Sequence, residues 1–171
     1  MYTAYVLLGG NEGDVPVMFR KAVAFIESAG MQVKAEGSLY KSAAWGDGVH
    51  GMFYNQLVIL NVNQEPREIL SVLLDIETRL GRKRQSGMVS NRTIDIDILL
   101  VDDLVISDGE LLIPHPRLHL RRFALVPLCE LVPDLVHPVM GKTIKHLLHN
   151  TTDKLKVEKV CKDKYPDVSQ N

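Results

Sequence analysis

Two aspartates stand one residue apart in an otherwise apolar run, Ile94-Asp95-Ile96-Asp97-Ile98, and they are the residues of this chain best suited to hold a divalent cation. Alternation of this kind reads as a β-strand whose isoleucines take one face and whose carboxylates take the other, roughly 7 Å apart. Two anions so placed repel, and an apolar strand offers them little water, so a tenant of opposite charge is the natural reason for the pair. Magnesium with phosphate oxygens suits it, because that ion takes one or two protein carboxylates and completes its shell with water and phosphate. Two blander arrangements stay open: a solvated face of a half-exposed antiparallel strand, or pairing with arginines.

The neighbours favour the phosphate reading. Arg82, Lys83, Arg84 and Arg92 bracket the segment that runs into the aspartate strand, and Arg117, Arg121 and Arg122 follow it. Guanidinium forks bind phosphate oxygens in pairs and stay charged, so a metal flanked by arginines describes a polyphosphate clamp. Any one of these arginines alone would be read as a solvated surface residue. His115 lies between Pro114 and Pro116, which stiffen the backbone and make its imidazole a well-placed donor, although a turn histidine of this kind is commonly structural. Gly9-Gly10-Asn11 is a weaker signal: no Gly-Lys-Ser/Thr follows, so it is no Walker loop, and a simple turn accounts for it.

The elements that must position these groups can be read from periodicity. Residues 2–8 form a buried strand; residues 9–14 form a loop whose glycines permit positive φ; a helix capped by Asp14 then carries Val15, Met18, Phe19, Ala22, Val23 and Ile26 at helical spacing until Gly30. Residues 31–40 read as one strand, residues 41–52 as a small-residue loop holding Trp45, and residues 53–62 as a central strand covered on both faces. Pro66 opens a second helix that Gly81 stops, residues 82–91 read as a polar loop, and residues 93–101 form the aspartate strand. A hairpin at 104–113 and helices at 123–132 and 143–149 follow, with a polar tail at the end. The order β, α, β, β, α, β predicts an α+β fold, a ferredoxin-like split βαβ core with additional C-terminal helices and strands. One domain spanning residues 1–171 is expected, with its core over about 2–148.

The totals exclude several classes. Twenty basic against 21 acidic residues leave a net charge of −1, so no global field recruits nucleic acid or an anionic membrane. The two cysteines lack any zinc or redox spacing, and the first apolar run is too short to span a bilayer or serve as a leader. A cytoplasmic monomer is the expectation.

Taken together, Arg92-Thr93-Ile94-Asp95-Ile96-Asp97-Ile98-Leu99 and Pro114-His115-Pro116 resemble the signature of the 6-hydroxymethyl-7,8-dihydropterin pyrophosphokinases of folate biosynthesis. Gly9-Gly10-Asn11, Phe53-Tyr54-Asn55, Glu77 with Gly81-Arg82, and Arg121-Arg122-Phe123 before Val126-Pro127-Leu128 add to the likeness, which runs from about residue 2 to 148. The resemblance implies transfer of a pyrophosphoryl group from ATP, the co-substrate, to the hydroxymethyl oxygen of the pterin, with release of AMP. It implies that Asp95 and Asp97 hold two magnesium ions and that Arg82, Arg92, Asp95 and Asp97 are catalytic. Glu77, Arg84, Arg92, His115 and Arg121 would meet ATP, and Ser42, Ala43, Trp45, Phe53, Asn55 and Phe123 the pterin. The chain departs from the family at Gly10, for a serine; at Phe53, for a tyrosine in some members; at Leu74, for a glutamine; at His119, for a lysine; and at 88–91, where many members place an aromatic. Loops 41–52 and 82–91 are candidates to close over ligands. Two rivals remain: a two-metal nucleotidyltransferase attacking the α-phosphorus, and a non-catalytic ferredoxin-like binding module.

Overall fold

The computed structural model describes residues 1–45, 51–82 and 92–161. Its first strand, β1 (Tyr2–Gly10), leads into helix α1 (Val15–Ser28), where the Asp14 side chain accepts the Val17 N–H at 3.1 Å and closes the first turn. Next come β2 (Gln32–Glu36), β3 (Tyr40–Ala43) and β4 (Met52–Val62). Helix α2 (Pro66–Arg79) starts on a proline whose missing N–H costs nothing there, and it ends before Gly81, whose φ of +88° suits a residue without Cβ. After β5 (Asp95–Val101) come the hairpin β6 (Ile106–Asp108) and β7 (Leu111–Ile113), then α3 (Arg122–Leu131), the ribbon β8 (Val136–His137) and β9 (Lys142–Thr143), α4 (Ile144–Asn150) and β10 (Val157–Lys159).

The main sheet runs β10-β3-β4-β1-β5, with β2 paired to the far half of β4, and every neighbouring pair is antiparallel. This is the ferredoxin-like arrangement with additions at the C-terminus. Alternation along β1 sends Ala4, Val6 and Leu8 to one face, where they pack with Phe19 and Ile26 of α1 and Ile69 and Leu73 of α2. Tyr5 and Leu7 go to the other face and meet Leu125 and Leu128 of α3 and Ile144 and Leu147 of α4. Both faces are covered there, which is why residues 4–8 of β1 and 57–60 of β4 read as unbroken apolar runs. On β5, Ile98 lies opposite Val6 while Leu100 lies opposite Tyr5, so Leu99 is a bulged extra residue, and Leu99 and Leu100 both join the α3 side.

Four expectations are corrected. Gly9 and Gly10 are in β1 rather than in a loop at positive φ; of the glycines at 9–13 only Gly13 has positive φ. The two strand glycines answer to crowding instead: a Cβ on Gly10 would lie 2.8 Å from the Thr93 carbonyl oxygen. Residues 31–40 are two strands, not one. The chain bends at Gly37, whose N–H goes to the Leu57 carbonyl, and at Ser38, whose N–H and hydroxyl both go to the Glu130 carboxylate. Lys41, Ser42 and Ala43 belong to β3, so the loop starts later than its small residues suggest. Finally, Val157–Lys159 pairs with β3 and widens the sheet beyond the expected core limit of about 148. Among the described residues no helix is long and apolar enough to cross a membrane.

Candidate active site

On the sheet face that carries α3, the apolar pattern stops partway along each strand. Tyr5 and Leu7 give way to Gly9 on β1, Ile59 and Leu57 to Asn55 and Phe53 on β4, and Leu99 to Asp97 and Asp95 on β5. Beyond the end of that second core lies a cavity of about 420 Å³, with Trp45, Phe123 and four arginines around its rim. The register puts Gly9 between Asn55 and Asp95, and Leu7 between Leu57 and Asp97. Because Gly9 has no side chain, a trough is left there; a Cβ would stand 3.3 Å from Asn55 Oδ1 and 3.7 Å from Asp95 Cβ.

Both aspartates face the cavity, half-buried, and their electrostatics differ. Asp95 is neutralised on both oxygens, by Arg82 on Oδ1 and by Arg92 on Oδ2. Asp97 forms no ion pair among the described residues, and loss of hydration, reinforced by the charge of Asp95, pushes its carboxyl up to about 7, with Arg121 pulling the other way. Arg82 also pairs with Glu77, a carboxylate only 2% exposed. Burial alone would lower the Arg82 guanidinium; Asp95 and Glu77 on either side hold it above its usual range. The Glu77 carboxylate accepts the Ile96 N–H at 2.7 Å. β5 is the edge of the sheet, so this N–H points away from β1, and a helix side chain satisfies it at the residue between the two aspartates.

The cationic wall has the opposite imbalance. Burial, with Arg117 nearby, lowers the Arg121 guanidinium below its usual range. Its Nε is buried without a hydrogen-bond partner among the described residues, and its charged end lies 4.9 Å from the Trp45 ring centre and 5.5 Å from that of Phe123. His115 is tied to the bulge, its N–H donating to the Leu99 carbonyl at 2.9 Å. Its Nδ1 accepts the Arg117 N–H at 3.2 Å, which places the proton of the neutral ring on Nε2, 3.5 Å from an Arg121 nitrogen. Two donors thus face each other across a gap that an anionic oxygen would join. Burial, then Arg121 and Arg117, lower this imidazole to about 4, so the ring is neutral at physiological pH. Asp97 and Arg121 attract each other across the cavity without forming an ion pair among the described residues, which fits a metal–phosphate ligand between them. Among the described residues no group of three or more His, Cys, Asp or Glu side chains gathers as a metal cage.

A second cavity of about 270 Å³ shares Arg82, Asp95, Asp97 and His115 with the first and runs between α2 and β7 over Leu70, Leu74, Leu111 and Leu112. Its polar end lies at the aspartates and its apolar end suits a flat ring.

Every residue named above for the pterin, Ser42, Ala43, Trp45, Phe53, Asn55 and Phe123, borders the first cavity, as do Arg82, Arg92, Asp95, Asp97, His115 and Arg121. Glu77 borders the second, as an anion already bound to Arg82 and to backbone. Arg84, with residues 83–91 of the loop read at 82–91, and residues 46–50 of the loop read at 41–52 lie outside the described residues, as does the tail from 162. Leu74 lines the apolar slot, while His119 lines neither cavity. The sequence reading did not single out Gly9 as a floor residue, whereas Arg117, read among the arginines of the clamp, does border the cavity. For Gly9 the signal is present: it is the third position of the Tyr5, Leu7, Gly9 alternation.

Known proteins resemble the chain over most of its length. Residues 5–133 match the family model described as 7,8-dihydro-6-hydroxymethylpterin-pyrophosphokinase. A 2-amino-4-hydroxy-6-hydroxymethyldihydropteridine pyrophosphokinase of Methylorubrum extorquens is 38% identical over 149 residues, covering 86% of this chain and 92% of the relative. One of the same name from Synechocystis is 40% identical over 146 residues, covering 85% of this chain and 74% of the relative. The fold also matches the HPPK-DHPS chain of Plasmodium falciparum, with a TM-score of 0.69 at 16% identity over 86% of this chain. That chain is longer, and this one spans 43% of it. With most of its length inside the family model and its aspartate pair at the floor of the cavity, the chain belongs to the 7,8-dihydro-6-hydroxymethylpterin-pyrophosphokinase family.

Proposed function

We infer that this chain carries out the reaction that defines its family, moving a pyrophosphoryl group from ATP to 6-hydroxymethyl-7,8-dihydropterin for folate biosynthesis, with magnesium bound at Asp95 and Asp97. The observation that carries the reading is the complementary imbalance of the site: Asp97 without an ion pair among the described residues, facing the same cavity as Arg121, whose buried Nε lacks a hydrogen-bond partner among them. In the reaction the hydroxymethyl oxygen attacks the β-phosphorus, the bond from the α,β-bridging oxygen to that phosphorus breaks, AMP leaves with the bridging oxygen, and the hydroxyl proton is lost. Bound magnesium, two ions by the family resemblance, supplies charge neutralisation on the phosphates and acidifies the attacking hydroxyl.

The chain's own groups divide the remaining work. Arg82 and Arg92 stand on Asp95, and with Asp95 engaged by a metal they would be available to bind phosphate oxygens, Arg82 still held from behind by Glu77. His115, neutral with its proton on Nε2, donates to an oxygen without adding charge, and Arg121 supplies the charge beside it. Trp45, Phe53 and Phe123 provide flat apolar walls for the pterin, and the buried amide of Asn55 offers a donor and an acceptor to its amide edge. The slot between Leu74 and Leu112 accepts the adenine. Glu77 acts through Arg82, since an anion bound to backbone has nothing to donate to phosphate.

Incubation of the purified protein with ATP, magnesium and 6-hydroxymethyl-7,8-dihydropterin tests this reading. AMP and a pterin pyrophosphate are expected, and both are lost in Asp97→Ala with folding retained. Free pyrophosphate with a nucleotidylated acceptor would replace this reading by nucleotidyl transfer; no turnover and no cation-dependent ATP uptake would leave a binding module.

A further inference from the structure

Gly9-Gly10-Asn11 reads from sequence as a simple turn, yet its last residue holds a group of the site. The ladder between β1 and β5 ends at the pair Gly9 and Asp95. One residue further along, Gly10 lies so close to Thr93 that no side chain fits between them. One further still, the Asn11 N–H donates to the Arg92 carbonyl at 3.0 Å and the Asn11 Oδ1 accepts the Arg92 N–H at 2.8 Å. One residue therefore engages both backbone groups of Arg92, and the side-chain amide imitates a strand partner where the strand has stopped.

Arg92 has no regular element of its own to hold it, since β5 begins only at Asp95. Its guanidinium meets Asp95 three residues on and lies 6.0 Å from the Phe53 ring centre, so it sits between the proposed metal ligand and an aromatic wall. A long side chain reaches a fixed point only from a fixed Cα. A displacement of about 1 Å in a group that stabilises a transition state costs on the order of a hundredfold in rate.

We propose that Asn11 is a positioning residue, which pins the Arg92 backbone from the end of β1 and so sets where the Arg92 guanidinium stands relative to Asp95 and the transferred phosphates. The proposal rests on the pyrophosphokinase reading for the role of Arg92, while the hold on the backbone belongs to the free protein. A residue that merely ended β1 would do its work whatever side chain stood at 92.

Two measurements separate these cases. In the free protein, hydrogen exchange by NMR should show the Arg92 amide protected in wild type, exchanging about tenfold faster or more in Asn11→Ala, and protected again in Asn11→Asp, which keeps an acceptor oxygen. In turnover, Asn11→Ala should lower kcat about tenfold or more with KM for ATP changed about twofold at most, and should cost nothing further in an Arg92→Ala background. The loss of fold stability from Asn11→Ala, in contrast, should be the same in both backgrounds. An unchanged Arg92 amide in Asn11→Ala would overturn the proposal, as would an equal fold-loss of kcat with arginine and with alanine at 92. If wild type makes no AMP, the pyrophosphokinase reading fails, and the exchange experiment still decides whether Asn11 holds Arg92.

Discussion

Asp97 and His115 border one cavity, and burial shifts them in opposite directions because it disfavours charge on each. Folding raises the Asp97 carboxyl from its usual 3.8 to about 7, so the folded chain binds this proton more tightly and the contribution of Asp97 to stability falls as pH rises from about 4 to about 7. His115 drops from 6.5 to about 4, so its contribution is intact above 6.5 and is lost as pH falls toward 4. In protein free of nucleotide and metal, the stability of Asp97→Asn relative to wild type is therefore expected to increase with pH across the range 4 to 7. That of His115→Gln relative to wild type should increase as pH falls from 6.5 to 4. Each pKa unit is worth about 1.4 kcal/mol, so urea unfolding at a few pH values resolves either trend, and two parallel curves would sink the assignment. At this scale the sequence was informative about the carboxylates, because Ile94, Ile96 and Ile98 fix their common face. It was silent on their difference, because the arginine at 82 that neutralises Asp95 arrives from another element.

At the scale of elements, β1 brings the two functional strands together, and its glycines are its working end. Gly10 faces backbone and Gly9 faces side chains, so the same substitution has two outcomes. Gly10→Ala must push the Thr93 carbonyl aside and should cost about 1–3 kcal/mol of stability. Gly9→Ala meets the movable end of Asn55 and should fold with a smaller loss, yet it fills the floor between Asn55 and Asp95 and should weaken pterin binding about tenfold. Thermal unfolding and titration calorimetry read the two effects separately. Similar binding by Gly9→Ala and wild type would move the pterin away from this floor. Helix limits were legible because caps and stops are local: Asp14 and Gly81 act within one turn. The bend at Gly37 was not, because its reason is Glu130, which is remote in sequence, and β10 was not, because three residues on a sheet edge carry no period.

The molecule as a whole puts stability and chemistry on the same strands. One end of the α3 face is core and the other end is site, while the face under α1 and α2 carries the larger apolar cluster, so unbalanced charge is concentrated where ligands would enter. A ligand that supplies both missing charges should stabilise the whole fold. Magnesium and ATP together, at about a hundred times the dissociation constant, are worth about 2.7 kcal/mol, or roughly 8 °C in Tm for a chain of this size. ATP with a chelator should give much less; an equal shift would place the nucleotide away from the aspartates. The fold class was readable from the order of elements and the aspartate pair from alternation, whereas the second cavity needs α2 and β7 side by side, which no local pattern announces. Leu99 closes the account of β5. Without it Ile98 and Leu100 would follow each other opposite Val6 and Tyr5 in a regular ladder, and both aspartates would keep their direction. The surplus residue instead lends its carbonyl to His115. This strand is therefore one residue longer than its pairing with β1 requires, and the requirement that sets its length comes from the histidine turn beside it.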